Sequence, residues 1–283
     1  MYAITGITGQ VGGAVANALL EANQLVRAIV RNPNKGAAWA ARGFDIALAE
    51  LSDVDALTRA FESAQGVFIL LPPTFDPEPG FPEASKLRDV IIEALNRAKP
   101  GKVVYLSTVG AQATQTNLLS QHSLVEQALR EQDFPVTFLR PAWFMENCAW
   151  DVASARDEGI VHSFLHPLDR AIPMVATQDI GKQAAKLLLD DENITRTVEL
   201  EGPHRVSPND IADAFAHVLG KLVSAQAVPR DSWQGLFEAQ GMKHPLPRIQ
   251  MLDGFNEGWI DFEGRTVKGT TPLVDVIRHI CTF

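Results

Sequence analysis

The sequence predicts an α/β fold: a doubly wound parallel sheet (Rossmann-type) carrying a smaller, mainly helical C-terminal lobe. Three observations predict it. Short apolar strands alternate with amphipathic helices through the first 142 residues. A glycine-spaced turn joins the first strand to the first helix. Beyond about residue 142 the alternation fades, and Trp143, Trp150, Trp233 and Trp259 fall there, leaving only Trp39 before it. The expected division is therefore 1–142 for the sheet domain and 143–283 for the lobe, with some segments of the lobe returning to the sheet.

In order, residues 2–5 form a short apolar strand, and Val11, Val15, Ala18 and Leu19 recur at helical spacing through Ala22. Leu25–Val30 is the next strand and 45–48 a weaker one. Asp53 is placed to cap a helix that carries Leu57 and Phe61 on one face. The run 67–71 suits a fully buried strand. Leu87, Val90, Ile91, Ala94 and Leu95 give a strongly amphipathic helix, followed by a strand over 103–106. A helix around 120–131 and a strand over 136–139 complete the first half. In the second, short strands are expected at 172–175 and 197–200, with helices at 178–189, 208–219 and 273–280. Strands spaced by helices of this length call for a parallel sheet covered on both faces.

Composition narrows the function classes. The chain has 283 residues, 46% apolar and 21% charged, with a net charge of −9, as in an ordinary soluble globule. Residues 1–150 carry 12 Lys/Arg against 15 Asp/Glu, so neither half supplies the basic stripe that nucleic acid requires. Cys148 and Cys281 are the only thiols, too few for a disulfide framework. The opening MYAITG lacks the basic and apolar regions of a secretory signal, and no apolar run approaches the ~20 residues of a membrane span. A soluble, cytoplasmic protein is expected, with no membrane partner. The sequence leaves the oligomeric state open.

The strongest motif is the turn from Thr5 to Gly12, which reads TGITGQVG. Gly6 permits the tight turn, Gly9 lets a diphosphate approach the backbone, and Gly12 allows close packing of helix on strand. The N–H groups around Thr8, Gln10 and Val11, at the positive end of the helix, then face the phosphates. The second strand ends in VRNPNK. Where an NAD site would place a carboxylate for the ribose, this chain has Arg31, with Lys35 close behind. A guanidinium binds a 2′-phosphate bidentately, so NADP(H) is favoured. Glu50 and Leu51 follow the third strand, where the loop would pass the adenine.

These residues, with LRPAWFMEN at 139–147, TQDIG at 177–181 and GRTVKGTTPLVDVIRH at 264–279, resemble the short-chain dehydrogenase/reductase superfamily. More closely, they resemble its NmrA-like branch and, within it, the NADPH-dependent quinone oxidoreductase group. Typical members of the superfamily reduce carbonyls with a Tyr-x-x-x-Lys pair. Here Tyr2 is followed at that spacing by Gly6 and Tyr105 by Val109, so no such pair exists. Aligned on the helix that would carry it, Leu118 takes the tyrosine place and His122 the lysine place, with Glu126 one turn on. The quinone oxidoreductase group looks similar here.

A quinone needs less acid catalysis than an aldehyde or ketone, because its reduction leaves a weakly basic phenolate. Positioning in a dry pocket then supplies most of the acceleration. His122 is the candidate catalytic residue, orienting the nicotinamide ribose or the acceptor oxygen. The pocket walls are expected at the carboxyl ends of strands: Leu71, Pro72 and Pro73; Ser107 and Thr108; Pro141 and Phe144. Trp143, Phe144 and Met145 offer a flat apolar surface. His162 and His166 lack metal-site context, no G-x-S-x-G elbow occurs, and Asp190-Asp191-Glu192 reads as a solvated turn. Two readings follow: an NADPH-dependent reductase of quinones or similar small planar acceptors, or a non-catalytic NADP(H)-binding redox sensor of the NmrA-like type.

Overall fold

The computed structural model describes residues 1–282. Its centre is an eight-stranded, wholly parallel sheet. In chain order the elements begin β1 (Tyr2–Ile4), α1 (Gln10–Glu21), β2 (Val26–Val30), α2 (Pro33–Ala40), β3 (Asp45–Leu48) and α3 (Val54–Phe61). They continue with β4 (Gly66–Leu70), α4 (Pro82–Ala98), β5 (Val103–Leu106), α5 (Ser120–Arg130) and β6 (Val136–Pro141). Then come β7 (Trp143–Phe144), a 3₁₀ turn (Met145–Asp151), α6 (Val152–Asp157), β8 (Ile160–Ser163) and β9 (Met174–Val175). Next are α7 (Thr177–Leu189), β10 (Arg196–Glu201), α8 (Pro208–Leu219) and β11 (Ser224–Ala227). The last are α9 (Trp233–Ala239), α10 (Leu246–Glu257), β12 (Val267–Lys268) and α11 (Leu273–Cys281).

The strand order is β12-β10-β6-β5-β4-β1-β2-β3. The chain winds outward from β1 to β3, then returns to start again at β4 on the other side of β1. That reversal makes the β1/β4 edge the switch point, where open α/β sheets hold ligands beyond the strand ends. Alternating side chains build two faces. Ile4, Phe68, Val104 and Leu139 pack against α1 and α7, whereas Val67, Ile69, Tyr105 and Phe138 pack against α3, α4 and α5. A third core, around Phe215, Trp233, Phe237 and Phe255, fills the C-terminal lobe. Among the described residues, no helix is long and apolar enough to cross a membrane.

Local chemistry explains several boundaries. The Asp53 carboxylate accepts from Ala56 N at 2.9 Å and starts α3. Ser207 and Asp210 form a reciprocal capping box ahead of α8. Four helices, α2, α6, α9 and α10, lie where the sequence marked none. The VRNPNK segment opens α2, because Asn32 caps it and Pro33 fits its first turn. Helices α6, α9 and α10 add to those placed in the lobe, which was expected to be mainly helical. Asp190 is no solvated residue: its carboxylate holds Lys102 at 2.6 Å and also Arg196.

Candidate active site

At the switch point, the Thr5 hydroxyl donates to Phe68 O at 3.1 Å and accepts from Leu70 N at 3.1 Å, stapling β1 to β4. The next residue turns the chain. Gly6 has φ +62°, and a Cβ there would stand 2.8 Å from Leu70 Cδ2. A Cβ on Gly12 would stand 2.3 Å from Gly6 O, so α1 packs directly on the turn. Gly9 differs: a Cβ would meet only Gly6 O, at 3.3 Å, and its outer side is open. Thr8, Gly9 and Gln10 are exposed, whereas Val11 is buried and can offer only its backbone.

Gly9 caps α1 with no side chain, and no acidic residue occupies the first turn. The first bond into the helix is Gly13 N to Gly9 O at 2.9 Å. The N–H groups of Gln10, Val11 and Gly12 lie ahead of it, at the positive end of the helix. A groove lined by Thr8, Gly9, Gln10, Asn34 and Lys35 runs from this turn along α1. Arg31 and Lys35 are exposed at the end of β2 and the start of α2, and among the described residues neither is ion-paired. An open glycine turn, free amides and two uncommitted cations are the donor set a phosphorylated dinucleotide requires.

The other expected wall residues lie at the ends of β3 to β7. Glu50 is exposed and Leu51 half-buried after β3. Leu71 is half-buried beyond β4, with Pro72 and Pro73 exposed. Ser107 is buried beyond β5 and Thr108 half-buried, while Pro141 is buried at the end of β6 and Phe144 half-buried in β7. The Ser107 hydroxyl is committed, donating to Glu126 Oε1 at 2.5 Å. Met145 belongs to the lobe core at 1% exposure, so it is not part of an open apolar surface. Trp143 meets Phe255 edge-on at 5.1 Å.

His122 lies in the first turn of α5, half-buried. Its partner is not Glu126 one turn on, because Tyr105 Oη lies 2.9 Å from His122 Nδ1. Burial pushes the imidazole pKa down to about 4, against the partial pull of the Glu126 charge. The ring is therefore neutral near pH 7. Burial and the same carboxylate hold the Tyr105 phenol well above its ordinary value.

Glu126 serves a separate buried assembly. It accepts from Arg140 Nε at 2.9 Å and Nη2 at 2.7 Å, and from Arg130 at 3.1 Å. Arg140 reaches Gln112 at 3.0 Å and Glu263 at 2.9 Å. Burial works against the charge on Glu126, but hydrogen bonds from Arg140 and Ser107 outweigh it and hold the carboxyl below its usual range. Sequence reasoning missed Tyr105, Arg140 and this assembly. The one available signal was an arginine inside an apolar strand, which demands a buried carboxylate.

The model of the NmrA-like family matches residues 2–257. The chain belongs to that family. Quinone oxidoreductase 2 of Escherichia coli K12 is 26% identical to this NmrA-like chain over 99% of it and 98% of the relative. The NAD(P)H azoreductase of Xenophilus azovorans is 25% identical over 91% and 85%. The crystal structure of an NADPH-dependent quinone oxidoreductase from E. coli complexed with NADPH superposes with a TM-score of 0.84, covering 99% of each chain at 24% identity. The triphenylmethane reductase of Citrobacter complexed with NADP(H) reaches 0.82 at 21% identity, over 99% of this chain and 100% of that one.

Proposed function

We propose that this NmrA-like protein is an NADPH-dependent oxidoreductase whose acceptor is a quinone or a similar small, planar molecule. The observation that carries the cofactor is the open Gly9 turn at the uncapped start of α1, with unpaired Arg31 and Lys35 beside it. The first-turn amides hold the diphosphate, and the two cations clasp the 2′-phosphate. NADPH, when bound, supplies a hydride, and one proton from water completes the hydroquinone.

The chain's own residues have modest tasks in this reading. Pro72, Pro73 and Phe144 wall the nicotinamide side and exclude water. His122, neutral near pH 7, donates the N–H that Tyr105 leaves free to an acceptor carbonyl and orients it. The missing Tyr-x-x-x-Lys pair fits an acceptor that needs no strong acid. Relatives named as quinone and azo reductases support the same class.

The test mixes purified protein with NADPH and a set of quinones and follows loss of nicotinamide absorbance. Quinone-dependent turnover supports the reading, and a fall in it on His122→Ala supports the orienting role of that residue. NADPH binding without turnover on any acceptor would assign the protein to the redox sensors instead.

A further inference from the structure

Beside the start of α5, one cation lacks a counter-ion. Arg248 is half-buried in the first turn of α10, where the helix dipole works against a positive charge. Among the described residues no carboxylate pairs with it, although the chain carries nine excess negative charges. By contrast, Arg230 in the same lobe grips Asp253 through two nitrogens at 2.7 Å. Among the described residues, the one polar contact of Arg248 is Met242 Sδ at 3.9 Å. Burial alone acts on its guanidinium, pulling the pKa below the usual arginine range.

Aromatic rings surround this charge. The guanidinium carbon lies 4.5 Å from the Phe237 centroid and 5.9 Å from those of Phe75 and Trp150. Phe75 and Trp150 meet edge-on at 6.0 Å, yet are 45% and 61% exposed. Rings that exposed contribute little to the core but offer faces to a flat ligand.

Hydrogen bonds stitch this cluster to the candidate active site. Gln121, next to His122, donates to Thr74 O at 3.1 Å, immediately before Phe75. Leu118 N donates to Pro247 O at 2.9 Å, immediately before Arg248. The Asp76 carboxylate accepts from Lys243 N at 2.9 Å and His244 N at 2.6 Å, fixing the loop ahead of α10.

We propose that Arg248, Phe75 and Trp150 form an acceptor subsite that selects flat aromatic molecules bearing an anionic group such as a sulfonate or carboxylate. The aromatic faces take the ring, and the planar guanidinium takes the anion by charge-assisted hydrogen bonds. This deepens the reductase reading and rests on it for the position of the acceptor.

Calorimetry on the whole protein with NADP⁺ present tests it, using naphthalenesulfonate and the neutral naphthalenemethanol. The sulfonate should bind at least about tenfold tighter. Arg248→Gln should erase that preference without changing the affinity for the neutral compound, and Arg248→Lys should keep part of it. Trp150→Ala, at an exposed position, should weaken both ligands by a similar factor. Equal affinity for the two compounds, or a preference that survives Arg248→Gln, overturns the subsite. Equilibrium binding reads the subsite and the NADPH turnover assay reads the reductase, so the two ideas separate. Turnover of neutral quinones with no charge preference removes the subsite alone. Charge-selective binding without turnover removes the reductase reading and leaves the subsite standing.

Discussion

Tyr105 Oη and His122 Nδ1 lie 2.9 Å apart, joining the end of β5 to the first turn of α5. The phenol stays protonated, and its hydrogen has no other acceptor among the described residues. It therefore donates to Nδ1, and the proton of the neutral imidazole resides on Nε2. The tyrosine thus fixes the tautomer and orientation of the imidazole; if His122 orients the acceptor as proposed, Tyr105 would act through it as a positioning residue.

Tyr105→Phe keeps the buried ring and removes only that donor. Stability should fall by about 0.5–1.5 kcal/mol. The His122 nitrogen resonances should shift from one tautomer to a mixture, and quinone turnover should drop while NADPH affinity holds. Unchanged nitrogen shifts would disprove the donation.

His122 also links stability to pH. Its folded pKa of about 4 lies below the ordinary 6.5, so the unfolded chain takes up the proton first. The contribution is fully present above about pH 6.5 and drains away as pH falls towards 4, by up to about 3 kcal/mol. Urea unfolding at pH 7.5 and pH 4.5 reads it. His122→Gln should lose markedly less stability between the two than the wild type does.

Arg31 governs cofactor choice in the proposed function. Arg31→Ala should weaken NADPH by ~1–3 kcal/mol and leave NADH nearly untouched, the size of a charge-assisted bond to phosphate. Calorimetric titration with both coenzymes decides it; equal losses would remove the 2′-phosphate role.

The Glu126–Arg140 pair is buried on both sides, at 3% and 5% exposure. Arg140→Met should cost up to about 3–5 kcal/mol, because it leaves the buried Glu126 carboxylate with only Arg130 and Ser107. Adding Glu126→Leu should restore part of that loss in urea melts. Strictly additive costs would show that the two charges are not coupled.

The first half of the fold was legible because each strand and helix carries its own period. Leu57 and Phe61 mark a helix face by themselves, and Val103–Leu106 is strand-like wherever it sits. Helix α2 was hidden because Asn32-Pro33 suits a loop as well as a cap. Helix α10 was hidden because Ile249, Met251, Leu252 and Phe255 are buried around much of its girth, leaving no single apolar stripe. The glycine turn was legible at the site because it is local. Tyr105 facing His122, Arg140 gripping Glu126 and Arg248 among its rings are tertiary meetings, and no spacing along one element announces them.

The sheet's far side has a consequence for cutting the chain. Strand β6 is buried along all six residues because β10 lies against it, and β10 comes from the second half. A fragment ending at residue 142 would expose Val136–Leu139 as an uncovered ribbon of unpaired amides and carbonyls. Such a ribbon templates intermolecular strand addition, so the truncated protein should precipitate, whereas the intact chain shields it with its own later strand.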